Sequence, residues 1–182
     1  MTNPTDDLAS DATLLTRWRS GDERAATEIV ERHAPALARF AGSLGVRNNI
    51  EELVQDTFVR AFGSLEGFRG DSTLRTWLFT IMRRLVLDQR RARARRPVAV
   101  PVEEDDAVSE FDALDGIVAT EMEQKVRTAV SELTPTQREV FTIRVMEGLS
   151  YKEIAAVAGT TEGAARVHYH NAMRAVKEYL DG

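Results

Sequence analysis

Arginines crowd one stretch of the chain, Arg83-Arg84 and then Arg90-Arg91-Ala92-Arg93-Ala94-Arg95-Arg96. The chemistry they offer is phosphate neutralisation, because Lys and Arg supply most sequence-independent affinity for nucleic acid. A second pattern lies near the C-terminus, where Leu149-Ser150-Tyr151-Lys152-Glu153-Ile154-Ala155 is followed by Gly159 and a helical run through Leu180. It reads as a helix-turn-helix: close crossing needs a small residue in the first helix, which Ala155 supplies, and a positive-φ residue in the turn, which Gly159 supplies. Ile154, Ala158, Ala165, Tyr169, Ala172 and Val176 then make the apolar side, leaving Thr161, Glu162, Arg166, His170 and Asn171 to a groove. Arg166 is the foremost candidate for a base or phosphate contact. The plainer readings are an ordinary helical hairpin and a solvated basic helix face.

Just ahead of the arginines, the loop Phe68-Arg69-Gly70-Asp71-Ser72-Thr73 leads to Trp77. Single-stranded nucleic acid is held by cations combined with aromatic platforms, and this segment carries both. Trp18 and Trp77 nonetheless read first as core residues.

Other chemistries lack their residues. With no cysteine among 182 residues, disulfides, cysteine-based zinc sites and thiol catalysis are excluded. No His-Ser pair, glycine-rich phosphate loop or HExxH is present, so the sequence predicts no enzyme, no catalytic residues and no cofactor. His168 and His170 point about 200 degrees apart on a helix, which argues against a metal site, and none is expected. The polar N-terminus is no signal peptide and no apolar run approaches a span of about 20 residues; the expectation is a cytoplasmic protein without membrane insertion. The net charge of -5 conceals segregation: the arginines are followed by an acidic block from Glu103 to Asp115.

Apolar residues recur at helical spacing, and no segment of length shows the period-two alternation of a half-buried strand. The fold class is therefore all-α, with two small helical domains joined by an acidic flexible linker. Residues 1–10 read as a disordered N-terminus, 11–96 as the first domain, 97–116 as the linker and 117–182 as the second domain. The first helix is expected over 13–20 and the second from about 23 to 44, with Ala26, Ile29, Val30, Leu37 and Phe40 buried and Pro35 kinking or dividing it. Asn49 is a candidate cap with Glu52 completing a capping box, and Leu53, Val54, Thr57, Phe58, Ala61 and Phe62 follow on one face. Ser72 is the candidate cap of the next helix, whose apolar face is Leu74, Trp77, Leu78, Ile81, Leu85 and Val86. In the second domain Ile117, Val118, Met122, Val126, Val130 and Leu133 open a helix. Thr134-Pro135-Thr136-Gln137 and Ser150-Tyr151-Lys152-Glu153 each carry a helix-start signature.

Several of these segments resemble one family. Thr57-Phe58-Val59-Arg60-Ala61-Phe62, Phe68-Arg69-Gly70, the run Ser72 to Ile81, Asp88-Gln89-Arg90-Arg91 and Leu149 to Ala155 are similar to extracytoplasmic-function (ECF) sigma factors, of the sigma-70 family of bacterial RNA polymerase. The resemblance spans residues 11 to 180 in order. It implies that the first domain is sigma region 2 and the second region 4, with a linker in place of a folded region 3. It also implies that Leu53, Gln55, Asp56, Phe58 and Arg60 bind core RNA polymerase. The minus-ten strand would fall to Arg69, Ser72, Thr73, Arg75, Thr76, Trp77, Arg83, Arg84, Arg90 and Arg91. The minus-thirty-five duplex would fall to Thr161, Glu162, Gly163, Arg166, His170, Asn171 and Arg174. Arg84 stands where many relatives have asparagine, and a cation there favours phosphate contact. Implied partners are core RNA polymerase, promoter DNA and an anti-sigma factor that holds a monomer inactive. Some 20 linker residues at about 3.3 Å each reach roughly 65 Å, enough to place the domains on separate promoter elements.

Two other readings predict different behaviour. A stand-alone helix-turn-helix regulator would bind palindromic duplex as a dimer. A helical protein-binding adaptor would have no use for the segregated arginines.

Overall fold

The computed structural model of the chain describes residues 4–95 and 121–182, with side chains described from residue 11. The expected linker 97–116, with Arg96, Ile117 and Val118, lies outside the described residues. Among the described residues the order is α1 (Pro4–Arg19), α2 (Glu23–Ser43), α3 (Ile50–Gly63), a 3-10 turn (Leu65–Gly67), α4 (Leu74–Arg95), α5 (Glu121–Ser131), α6 (Pro135–Val145), α7 (Tyr151–Ala158) and α8 (Glu162–Asp181), without a strand. The all-helical expectation holds. α1 starts at Pro4, so residues 4–10 of the segment read as disordered are helical.

The N-terminal unit is built from α1 to α4. Asp22 caps α2, its Oδ1 accepting from the Arg24 N–H at 3.0 Å, while its Oδ2 accepts from Arg17 Nε at 2.8 Å and ties α1 to α2. α2 runs unbroken through Pro35. Ile29 on one side and Leu37 and Phe40 on the other are fully buried in the same core, which holds both halves of the helix in line despite the lost backbone donor. Ala25 rather than Ala26 takes the buried position. Phe40 stacks on Phe79 of α4 with centroids 4.7 Å apart. The α4 face is centred on Leu78, Phe79 and Met82, with Trp77 and Ile81 at its margin.

Two start signals differ in detail. Asn49 precedes α3 but adopts φ 61 and makes no side-chain cap; in that left-handed conformation the expected capping box does not form. At α4 the cap is Thr73 rather than Ser72: its Oγ1 accepts from the Thr76 N–H at 3.1 Å. The boxes at Thr134–Gln137 and Ser150–Glu153 are both complete.

The two units are packed against each other, α6 on α2 and α7 on α4. Val140, Ile143, Leu149, Ile154, Val157 and Ala165 belong to one apolar cluster with Leu37, Phe40, Leu78 and Met82. A smaller cluster, Ala129, Leu133, Phe141, Ala172 and Val176, fastens α5 and α6 to α8. Met122, expected on the buried face of α5, is 61% exposed.

Candidate nucleic-acid interface

The helix-turn-helix is α7 and α8. Glu153 Oε2 accepts from the Ser150 N–H at 2.8 Å, and Ser150 Oγ accepts from the Glu153 N–H at 3.3 Å, which starts α7. Gly159 ends it at φ 64, ψ 38. Any residue with a Cβ is strained there. Thr161 caps α8 by accepting from the Ala164 N–H at 3.1 Å. Ile154, Ala158, Ala165, Ala172 and Val176 are buried, while Thr161, Glu162, Gly163, Arg166, His170 and Arg174 are exposed and Asn171 is half-buried. These residues share one helix and its leading turn, as the sequence predicts. Arg166 Nη2 lies 3.3 Å from Glu162 Oε1. Val167, 58% exposed in the same stretch, is an apolar addition to that surface.

The residues expected to hold the minus-ten strand lie on the 68–73 loop and along α4, and they divide between two faces. Phe68 and Trp77 meet with centroids 4.9 Å apart, and Arg19 Nη2 donates to the Phe68 carbonyl at 3.3 Å. Arg69, Arg84, Arg90 and Arg91 are exposed. Arg90 donates to the Leu44 carbonyl, and Arg91 sits 3.6 Å from Asp88. The rest of this set is turned to the C-terminal unit. Arg83 Nε donates to Glu139 Oε1 at 2.7 Å. Arg75 Nη1 lies 3.8 Å from Glu147 Oε2, and Arg39 Nε donates to Glu147 Oε1 at 2.9 Å. Thr76 Oγ1 donates to Glu153 Oε1 at 3.2 Å, so one Glu153 oxygen caps α7 while the other crosses the domain contact. Thr76 is only 1% exposed.

Electrostatics at this contact are asymmetric. Burial pushes the Glu139 carboxyl above the ordinary carboxylate value, and the charges of Arg83 and Arg90 offset only part of that. A buried acid beside a half-buried arginine is held by geometry more than by free charge.

On α3, Gln55, Asp56 and Arg60 are exposed. Leu53 and Phe58, which the resemblance puts in the same polymerase-binding set and their spacing puts on the apolar face, are 3% and 4% exposed and belong to the core. The residue that the sequence reading missed is Val59, 70% exposed between Asp56 and Arg60. An apolar side chain placed out of phase with the buried stripe was the signal for it.

An all-helical chain carrying a basic α4 and a capped helix-turn-helix defines a two-module DNA-binding protein. Residues 29–96 match Sigma-70 region 2 and residues 123–176 match Sigma-70, region 4. The chain is 28% identical over 180 residues to the ECF RNA polymerase sigma-E factor of Haemophilus influenzae, covering 94% of this chain and 95% of that protein. It is 28% identical over 176 residues to the ECF RNA polymerase sigma-E factor of Escherichia coli, covering 92% of each. Among solved structures it resembles CnrH in complex with the cytosolic domain of CnrY, with TM-score 0.65, 30% identity and coverage of 94% of this chain and 97% of that one. It also resembles the sigma factor RpoE in complex with the anti-sigma factor NepR from Bartonella quintana, with TM-score 0.63, 29% identity and coverage of 85% and 96%. The chain belongs to the ECF subfamily of the sigma-70 family. It is thus an alternative sigma factor, and among its described residues no helix is long and apolar enough to cross a membrane.

Proposed function

We propose that this sigma factor works as a cytoplasmic monomer in three contacts with the transcription machinery and is silenced by an anti-sigma factor. The α3 face formed by Gln55, Asp56, Val59 and Arg60 binds core RNA polymerase. The 68–73 loop, the start of α4 and its arginines hold the melted minus-ten strand. The leading turns of α8 read the minus-thirty-five duplex. It does no catalysis of its own.

One observation carries this reading: the exposed N-terminal half of α8, set by the Gly159 turn and the Thr161 cap, coexists with the arginine-rich α4 in a chain that matches both sigma regions. Phosphate contacts along α4 and base contacts from α8 suit two separated promoter elements. Support for anti-sigma control comes from the likeness to RpoE, solved in complex with the anti-sigma factor NepR, and to CnrH, solved in complex with the cytosolic domain of CnrY. The test is run-off transcription with purified bacterial core polymerase on genomic fragments, with and without the protein. Discrete protein-dependent transcripts are expected. Failure to bind core polymerase, together with dimeric binding to palindromic duplex, replaces this reading with a stand-alone regulator.

A further inference from the structure

The contact between the two units contains a cavity of about 150 Å³ between the middle of α4 and the start of α6, walled by Arg83, Leu87 and Arg90 on one side and by Pro135, Thr136 and Glu139 on the other. Arg83 and Arg90 are seven residues apart in the sequence, about two turns of helix, and so share one side of α4. Their guanidiniums converge on one carboxyl: Arg83 Nε donates to Glu139 Oε1 at 2.7 Å, and the charge of Arg90 acts on the same group. Arg90 also donates to the Leu44 carbonyl at the end of α2. A guanidinium carries several N–H groups in a planar fork, so one such bond leaves the others to a further acceptor.

The α6 wall adds a helix terminus. The Thr134 N–H goes to Gln137 Oε1 at 3.3 Å and the Gln137 N–H to Thr134 Oγ1 at 3.4 Å, while Pro135 has no N–H to place. Among the described residues, the Thr136 N–H is then the donor of that first turn left without a protein acceptor, at the positive end of the helix dipole. Glu139, the acid in the wall, is pushed above its ordinary value by burial, which lowers the negative charge that an incoming anion meets. Sites for whole organic ligands run from about 300 Å³ upward. This cavity is too small for one of those and is matched to a single compact anion.

We propose that the cavity between α4 and α6 is a phosphate site, in which one phosphate group, free or at the end of a nucleotide, is held by Arg83 and Arg90 from the N-terminal unit and by the Thr136 N–H from the C-terminal unit. Arginine forks match the geometry of phosphate oxygens, and helix N-termini accept the same charge. Because the walls come from both units, the bound anion ties them together in their packed arrangement and occupies two arginines of the minus-ten set as it does so. The site goes beyond the promoter-binding reading and needs only that packing; it stands whether or not those arginines hold a DNA strand.

The test is a titration of the isotope-labelled full chain, followed by NMR of its backbone amides, with inorganic phosphate and separately with a nucleoside triphosphate, ionic strength being matched with chloride throughout. The Thr136 amide is expected to shift and saturate with a dissociation constant on the order of 1 mM for inorganic phosphate, within the ceiling for a ligand of so few atoms. Thr136→Glu separates the site from the fold. An acid in the first turn suits the helix dipole, so thermal unfolding is expected at or above the wild-type temperature, while its charge beside the cavity lowers phosphate affinity on the order of tenfold. Arg90→Ala, on the opposite wall, is expected to lose a similar factor, and Glu139→Gln, which removes the remaining acid, to bind more tightly than wild type. Tighter binding of the nucleotide identifies it as the source of the phosphate, and equal or weaker binding identifies the free anion; both uphold the site. A Thr136 amide that moves no further in phosphate than in chloride overturns the proposal. So does a loss of affinity in Arg90→Ala with none in Thr136→Glu, which puts the anion on α4 alone.

Discussion

His33 is 1% exposed in the middle of α2, and its Nε2 lies 3.0 Å from Oδ2 of Asp11 on α1 while its Nδ1 has no partner. Burial raises the Asp11 carboxyl, but the hydrogen bonds and charges of His33 and Arg32 outweigh it and hold the group below its ordinary value. A depressed carboxylate contributes stability above the ordinary carboxylate range that is lost as the pH falls through the depressed value. Asp11→Ala strands His33 in the core and is expected to cost about 1–3 kcal/mol at neutral pH. Urea unfolding checks this, followed by the fluorescence of Trp18, which packs against Phe62 at 5.1 Å. An unchanged midpoint sinks the idea. Glu139 works with the opposite sign. Its raised value means that its contribution is present below the ordinary carboxylate range and lost as the pH rises through the raised one. Glu139→Gln, neutral and still able to accept from Arg83, is therefore expected to match or exceed wild-type stability at neutral pH. Arg83→Ala, which leaves the buried acid without its hydrogen-bond donor and with only the charge of Arg90 nearby, is expected to lose about 1–3 kcal/mol. Equal losses in the two variants contradict this account.

At the scale of elements, helix starts were legible where a cap and its partner are local and unstrained. Thr134–Gln137 and Ser150–Glu153 close as the sequence predicts because the whole device spans four residues. Asn49 defeats the same logic: the chain enters α3 through a left-handed residue, and asparagine suits both a cap and that conformation, so its identity does not choose between them. Thr73 displaces Ser72 for an equally local reason, since both are good caps and only the exact first turn decides between them. The α3 surface shows a different limit. A face of about four residues per two turns is clear from spacing and puts Leu53 and Phe58 in the buried stripe, but spacing left the exposed apolar residue beside Gln55, Asp56 and Arg60 unnoticed. That residue, Val59, gives a clean probe. At 70% exposure, Val59→Glu should leave unfolding within about 0.5 kcal/mol of wild type while weakening the complex with core polymerase, read by competition against the unmodified protein. Undiminished binding removes Val59 from that surface.

For the whole molecule, the contact between the two units was not legible, because it is made by pairs far apart in sequence. Arg39 meets Glu147, Arg75 meets Glu147 and Arg83 meets Glu139, with no period or spacing to announce them. The contact also changes what the site residues can do at a given moment. Arg75, Arg83, Thr73 and Thr76 have carboxylates from the C-terminal unit where a nucleic-acid strand would place its phosphates, and one guanidinium edge does not serve both. Opening the contact exposes part of a shared apolar cluster as well, so burial and the ion pairs act together in the closed arrangement. Glu147 is the carboxylate to remove, because its side chain is 2% exposed and it pairs with both Arg39 and Arg75. Glu147→Ala removes the carboxylate that Arg39 and Arg75 share across the contact, which weakens the attraction between the two units. The expected outcome is a larger radius of gyration by small-angle X-ray scattering and tighter, more salt-sensitive binding of a single-stranded minus-ten oligonucleotide. Arg75→Ala in the same background should abolish that gain in binding. If Glu147→Ala stays as compact as wild type, apolar packing alone closes the molecule and the ion pairs only set its register. If it expands yet binds the strand no better, Arg75 and its neighbours are not where that strand is held.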